Sequence, residues 1–177
     1  MVVIHMDTTE ETGILGEVYQ GLACQVFLNP TSMEERWIRE AVDGDSGPVV
    51  LLGHGTPYGL LGEDMSSYIV DSSWVNVLRD REVIGIWCYA SEFADRYGLH
   101  GFFTSMFVSN LREAVEHRVD DGCREEDIFR EFEVFCRSIN RFLKEGVPMR
   151  EWVGLLQAGC NREFHFVRFN HECLSYY

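Results

Sequence analysis

The chain has 177 residues, 46% apolar and 25% charged, with a formal net charge of −14. That length encloses one sizeable core, and the balance is that of a globular protein rather than a disordered one. So acidic a surface repels phosphate backbones and anionic lipid, which argues against a nucleic-acid or membrane partner. No run of about 18 apolar residues could span a bilayer, and MVVIHMDTTEETG lacks the marks of a signal peptide.

In chain order, VVIHMD (2–7) is apolar and β-branched and predicts a strand, and LACQVFLN (22–29) predicts a second. Pro30 stops the chain. Thr31 or Ser32 is placed to cap a helix over MEERWIREAV (33–42), with Met33, Trp37, Ile38 and Ala41 on one face. GPVVLLG (47–53) is a short continuous apolar run, as expected of a strand buried on both faces. After His54, GLLGEDMSSYIVD (59–71) predicts a β-hairpin with a loose turn. Ser72 or Ser73 can then cap a short helix through WVNVLRD (74–80). EVIGIW (82–87) is another buried-strand run, ending at Cys88. Ser91–Tyr97 forms a turn or short helix, and GFFTSMFV (101–108) predicts a further strand.

The remainder reads as mostly helical. LREAVEHRVD (111–120) is one helix. EEDIFREFEVFCRSINRFLKE (125–145) is the most regular segment, with Ile128, Phe132, Phe135, Ile139 and Phe142 on one stripe. Phe129 joins these aromatics as core. Gly146 ends that helix, Pro148 opens the next over PMREWVGLLQA, and Gly159 closes it. REFHFVRF (162–169) predicts a last strand. Strands alternating with helices argue for an α/β sandwich with a mostly parallel sheet.

Two local motifs point to enzymes and fail on their surroundings. GDSGPVV looks like the nucleophile loop of chymotrypsin-like serine proteases, but only 45 residues precede Ser46 and His5 is their only histidine. Asp43-Gly44-Asp45-Ser46-Gly47 is better read as a helix-to-strand turn. HGTPYG (54–59) looks like the oxyanion segment of α/β-hydrolases, yet the chain has no Gly-x-Ser-x-Gly.

A third arrangement fits. His54 lies just past VVLLG and Cys88 just past VIGIW. If both strands are parallel in one sheet, both side chains emerge at the carboxyl edge, where open α/β sheets place their ligand crevice. A thiol beside an imidazole is the minimum machinery for nucleophilic catalysis. The N–H groups of Gly55 and Cys88 are candidates for an oxyanion hole.

In VVLLGHG (49–55), the hairpin and VIGIWCYAS (83–91), the chain resembles the caspase–gingipain–legumain (clan CD) cysteine peptidases, including their CHAT and metacaspase branches. The resemblance implies a three-layer α/β/α caspase-like domain over residues 1–177. It implies a His54/Cys88 dyad, peptide hydrolysis through an acyl-thioester, a peptide or protein substrate, and no metal or other cofactor. Trp87 before the cysteine and Tyr89-Ala90-Ser91 after it depart from the family's small or polar and glycine neighbours. The alternative is therefore a catalytically inactive caspase-like module that engages a protein partner; a homo-oligomer is left open. Glu63, Asp64 and Asp71 lie in or beside the hairpin. One of them reaching the primary pocket would favour a basic substrate residue, whereas as turn and cap residues they take no part.

The six cysteines form no Cys-x-x-Cys pair and read as reduced thiols of a cytoplasmic protein, mostly core filler. His165, His171 and Cys173 match no common zinc spacing. His100 precedes a strand and belongs at the opposite edge from His54. His117 reads as solvated, and His5 as a satisfied core or edge histidine.

Overall fold

A computed structural model describes residues 1–177. Its elements run β1 (Val2–His5), α1 (Glu10–Ile14), β2 (Gln25–Leu28), α2 (Glu35–Gly44), β3 (Val49–Leu52), β4 (Gly55–Thr56), β5 (Gly59–Leu61) and β6 (Tyr68–Val70). They continue with α3 (Val75–Leu78), β7 (Glu82–Ile86), α4 (Ala90–Tyr97), β8 (His100–Thr104), α5 (Leu111–Glu116), α6 (Glu125–Glu145), α7 (Met149–Gly159), α8 (His165–Glu172) and β9 (Leu174–Tyr176). Six strands form one sheet in the order β2-β1-β3-β7-β8-β9. All neighbours are parallel except β9, which runs antiparallel to β8.

The inner strands β1, β3, β7 and β8 are buried on both faces, which explains why they read as continuous apolar runs rather than alternating ones, whereas the edge strand β2 is largely exposed. Val2, Ile4, Val49, Leu51, Val83 and Phe103 point to one side and pack with Ile38 and Val42 of α2, Leu78 of α3 and Phe93 of α4. Val3, Val50, Leu52, Ile84, Ile86 and Phe102 point to the other, against Phe132, Phe135 and Ile139 of α6 and Trp152 of α7. The result is a three-layer α/β/α sandwich. Residues 55–70 leave it as a small antiparallel sheet in the order β4-β5-β6.

Four expectations need correction. Residues 162–169 are not a strand: Phe166, Val167, Asn170 and His171 are the buried positions of α8, a helical spacing. A distant backbone fixes that helix in place: Asn170 both accepts from Val108 N–H and donates to Val108 C=O, each at 2.8 Å. The closing strand is instead β9. Strand β8 stops at Thr104, and residues 105–108 leave the sheet. On α2 it is Ile38 and Val42 that face the core, while Met33 and Trp37 are 84% and 63% exposed. Helix α5 ends at Glu116, short of residue 120.

The caps follow the chemistry of the sequence. Thr31 opens a 3-10 turn that leads into α2, in a reciprocal bond with Glu34. Asp71, not Ser72 or Ser73, caps the turn into α3. Helix α6 runs over the expected Glu125–Glu145 and ends on left-handed Gly146. The Ser46 segment is the turn from α2 into β3: Asp45 accepts from Gly47 N–H at 2.6 Å and Ser46 is exposed. His100 opens β8 opposite Glu82, at the amino edge of the parallel strands.

Candidate active site

Strands β3 and β7 are neighbours, parallel, and in a register that sets Leu52 opposite Ile86. His54 and Cys88 each follow two residues later, so both emerge at the carboxyl edge. They line one crevice, with Glu11, Phe107, Ser109 and Phe132 among its walls. The crevice opens to solvent, and the space inside it is about 30 Å³, room for one or two waters.

His54 is held from below by α1. Its Nε2 lies 3.0 Å from the Thr9 hydroxyl and 4.0 Å from Glu11 Oε1. Nδ1 makes no hydrogen bond within the chain, which leaves it as the nitrogen free for chemistry. Gly53 makes the approach feasible: its φ of +146° suits glycine, and a Cβ there would lie 2.8 Å from Met6 Cβ.

Cys88 sits at a sharp strand-to-helix turn. Tyr89 follows it with φ 71° and ψ 22°, a left-handed conformation rare for a bulky residue, and α4 begins at Ala90. The thiol donates to Phe107 C=O at 3.7 Å. Burial pushes its pKa up to about 11; the Phe107 bond pulls the other way, and Glu113 and Cys173 add to the rise. No hydrogen bond links Cys88 to His54.

The backbone donors are present. Cys88 N–H finds no acceptor in the chain. Gly55 opposes Leu60, and Leu61 N–H donates to His54 C=O at 2.9 Å, which makes 55/60 a non-hydrogen-bonded pair. The Gly55 N–H therefore points away from β5, at the open edge of its sheet. Trp87 does not obstruct it. The indole turns into the core, 2% exposed, against Phe93, and donates to Thr56 C=O at 3.1 Å. Gly55 is what lets β4 lie on that ring, because a Cβ there would sit 2.0 Å from Trp87 Cδ1.

Glu63, Asp64 and Asp71 are not brought to the crevice. Glu63 and Asp64 line a separate groove with Thr31 and Tyr68. Asp64 ties the hairpin turn by accepting from the N–H and hydroxyl of both Ser66 and Ser67, which holds its carboxyl well below the usual range. Asp71 is occupied as a cap on Ser73 N–H at 2.8 Å. His165 pairs with Asp121 at 2.7 Å, and the His171 Nδ1–H donates to Val167 C=O at 2.8 Å. His117 is exposed, against the Phe169 ring.

Sequence reading missed Thr9 and Glu11, and with them Thr104 and Phe107. A signal was present for Thr9 alone: Thr9-x-x-Thr12 is a capping pattern, and both bonds of that box form.

No family model and no curated protein matches the chain. Among solved structures, an imine reductase from Myxococcus stipitatus, a V8 variant in complex with NAD+, is similar over 89% of this chain and 70% of that chain, at 9% identity and a TM-score of 0.34. At that TM-score the likeness carries neither fold nor chemistry across.

Proposed function

We propose that the chain is a cysteine peptidase, with Cys88 as nucleophile and His54 as the group that takes and returns its proton. One observation carries this reading: a thiol and an imidazole stand two residues beyond a paired position of adjacent parallel strands, on one rim. The Cys88 thiol gives its proton to His54 Nδ1 as Sγ attacks the peptide carbonyl carbon. The carbonyl electron pair moves to oxygen, for which the free N–H groups of Gly55 and Cys88 are the donors at hand. The C–N bond breaks and the His54 proton goes to the leaving amine. Water, deprotonated by the same ring, then hydrolyses the acyl-thioester and restores the thiol. Water is the only co-reactant these steps need.

In this form the thiol is neutral and hydrogen-bonded to Phe107. Attack therefore requires Sγ to leave Phe107 C=O and the crevice to widen. The same two observations favour the second reading, an inactive caspase-like module that binds a protein partner through this crevice or its helical face. All six cysteines are free and no helix is long and apolar enough to cross a membrane. A reducing, cytoplasmic setting is part of the same proposal.

The test uses a panel of peptidyl acyloxymethyl ketones that differ in their first residue, with the adduct mapped by mass spectrometry. The peptidase reading expects one or more of them to modify Cys88 selectively, with loss of the adduct in His54→Ala. Adducts spread over the six cysteines, unchanged by His54→Ala, would leave the binding module.

A further inference from the structure

We infer that Thr9 and Glu11 are positioning residues for His54, which together hold its ring with the Nε2 proton inward and the Nδ1 lone pair free. The inference rests on the reading of His54 as the proton carrier, and deepens it from a dyad to a supported dyad.

The geometry is specific. Thr9 Oγ1 lies 3.0 Å from Nε2 and Glu11 Oε1 lies 4.0 Å from it, so both polar groups face the same nitrogen. A carboxylate at that range favours the tautomer with its N–H on the near side. Thr9 can accept the Nε2–H because its residue is exposed and can pass its own hydroxyl proton to water. The neighbouring hydroxyl is not the sink: Thr12 Oγ1 already accepts from the N–H groups of Thr8 and Thr9, each at 2.9 Å, and donates to Thr9 C=O at 3.0 Å.

Both residues stand on a fixed platform. Thr12 is buried, and the ring of His5 is 2.8 Å from its carbonyl. Glu11 is steadied from the other side by the amide of Asn110 at 3.4 Å. The side chain of Glu11 is only 18% exposed, so its charge is less screened than that of a surface carboxylate. The α1 cap is closed by Thr9 and Thr12, so Glu11 is not needed to cap it.

The test is the tautomer of His54 in the ¹⁵N-labelled full chain, read from long-range ¹H–¹⁵N spectra at about pH 8, alongside the rate of Cys88 modification by a peptidyl ketone. The expected wild-type ring carries its proton on Nε2. Glu11→Gln and Thr9→Val should shift the population toward the Nδ1–H form, Thr9→Ser should restore it, and Glu11→Gln should slow Cys88 modification about fivefold. Glu11→Gln removes no cap, so it carries the test if Thr9→Val disturbs α1. A tautomer population unchanged in both variants overturns the inference. A shifted tautomer without selective modification of Cys88 in the wild type upholds the positioning and removes the peptidase reading instead.

Discussion

His54 and Cys88 are register-equivalent residues: Leu52 pairs with Ile86 across β3 and β7, and each of the two is the second residue beyond that pair. The ladder extends one step further, with Gly53 N–H donating to Ile86 C=O at 3.2 Å. Side chains alternate along strands, so positions 54 and 88 continue the face that carries Leu52 and Ile86. That face packs against α6 and against Leu15 and Val18, which follow α1, so the crevice is walled by Glu11 of α1 and Phe132 of α6. Trp87, one residue earlier, continues the opposite face and is spent on packing. One register therefore assigns the cysteine to the crevice and its bulky neighbour to the core.

The resting thiol sets a pH dependence. Burial raises the Cys88 pKa to about 11, so the thiolate fraction near neutral pH is very small. Iodoacetamide labelling of Cys88 in the folded chain should rise about tenfold per pH unit from about pH 7 to pH 10, with no plateau. Peptide mapping after timed quenching measures this. A plateau reached near neutral pH would mean that the imidazole already holds the thiol proton, and that the Phe107 contact does not describe the resting state.

Gly55→Ala tests the seat of β4. The added methyl would meet Trp87 Cδ1 at 2.0 Å, so either the indole or the strand must move. Over-packing of this kind costs about 1–3 kcal/mol, and here it also displaces a candidate oxyanion donor. Urea titration should show a lower midpoint, and Cys88 should become less selective for peptidyl ketones. A variant as stable as the parent would show that β4 is free to slide on the indole.

Much of this arrangement could be read from the residues, and the failures have physical causes. VVLLG and EVIGI announced themselves because a strand covered on both faces has no polar positions to break its run. Helix α6 was plain because its 21 residues repeat one apolar stripe against the core. The last helix reads as a strand because Glu163-Phe164-His165-Phe166 alternates polar and aromatic residues. Its helical burial depends on Asn170 reaching the backbone of Val108, a contact 62 residues away in sequence. The site divides the same way. Its histidine and cysteine lie at strand ends that sequence can find. Phe107 C=O and the carboxylate of Glu11 come from segments whose approach only the folded chain decides.

Thr104 holds the turn that presents Cys88. Its fully buried hydroxyl accepts from Trp87 N–H at 3.2 Å and donates to Trp87 C=O at 2.9 Å. Thr104→Val keeps the shape and leaves that N–H buried without a partner, since the carbonyl retains Ala90 N–H at 3.2 Å. An orphaned buried donor costs about 1–3 kcal/mol. Thr104→Ser keeps the hydroxyl and should lie close to the parent. Denaturant midpoints of the two variants check the argument; a loss in Thr104→Ser as large as that in Thr104→Val would show that keeping the hydroxyl bonds does not protect the turn.

His5 gives the fold a pH limit on the acid side. It is 1% exposed, with Nε2 2.8 Å from Thr12 C=O and Nδ1 2.9 Å from the Tyr19 hydroxyl. The carbonyl can only accept, so Nε2 carries the proton and Nδ1 accepts from Tyr19. Burial lowers the pKa below its ordinary 6.5, more than the Thr12 bond and Asp7 raise it. His171 is lowered for the same leading reason. The unfolded chain therefore binds protons at these sites before the folded one does. Their contribution is complete above about pH 6.5 and is lost as the pH falls from there toward the folded values, by at most about 1.4 kcal/mol per unit for each group. Urea midpoints should drop between about pH 7.5 and pH 5.5, and His5→Gln should flatten part of that slope. Because His5 anchors the carbonyl next to Glu11, the loss should reach the crevice before the core, as faster iodoacetamide labelling of Cys88 relative to fully buried Cys136. A midpoint that rises on acidification would contradict the buried, neutral assignment of both rings.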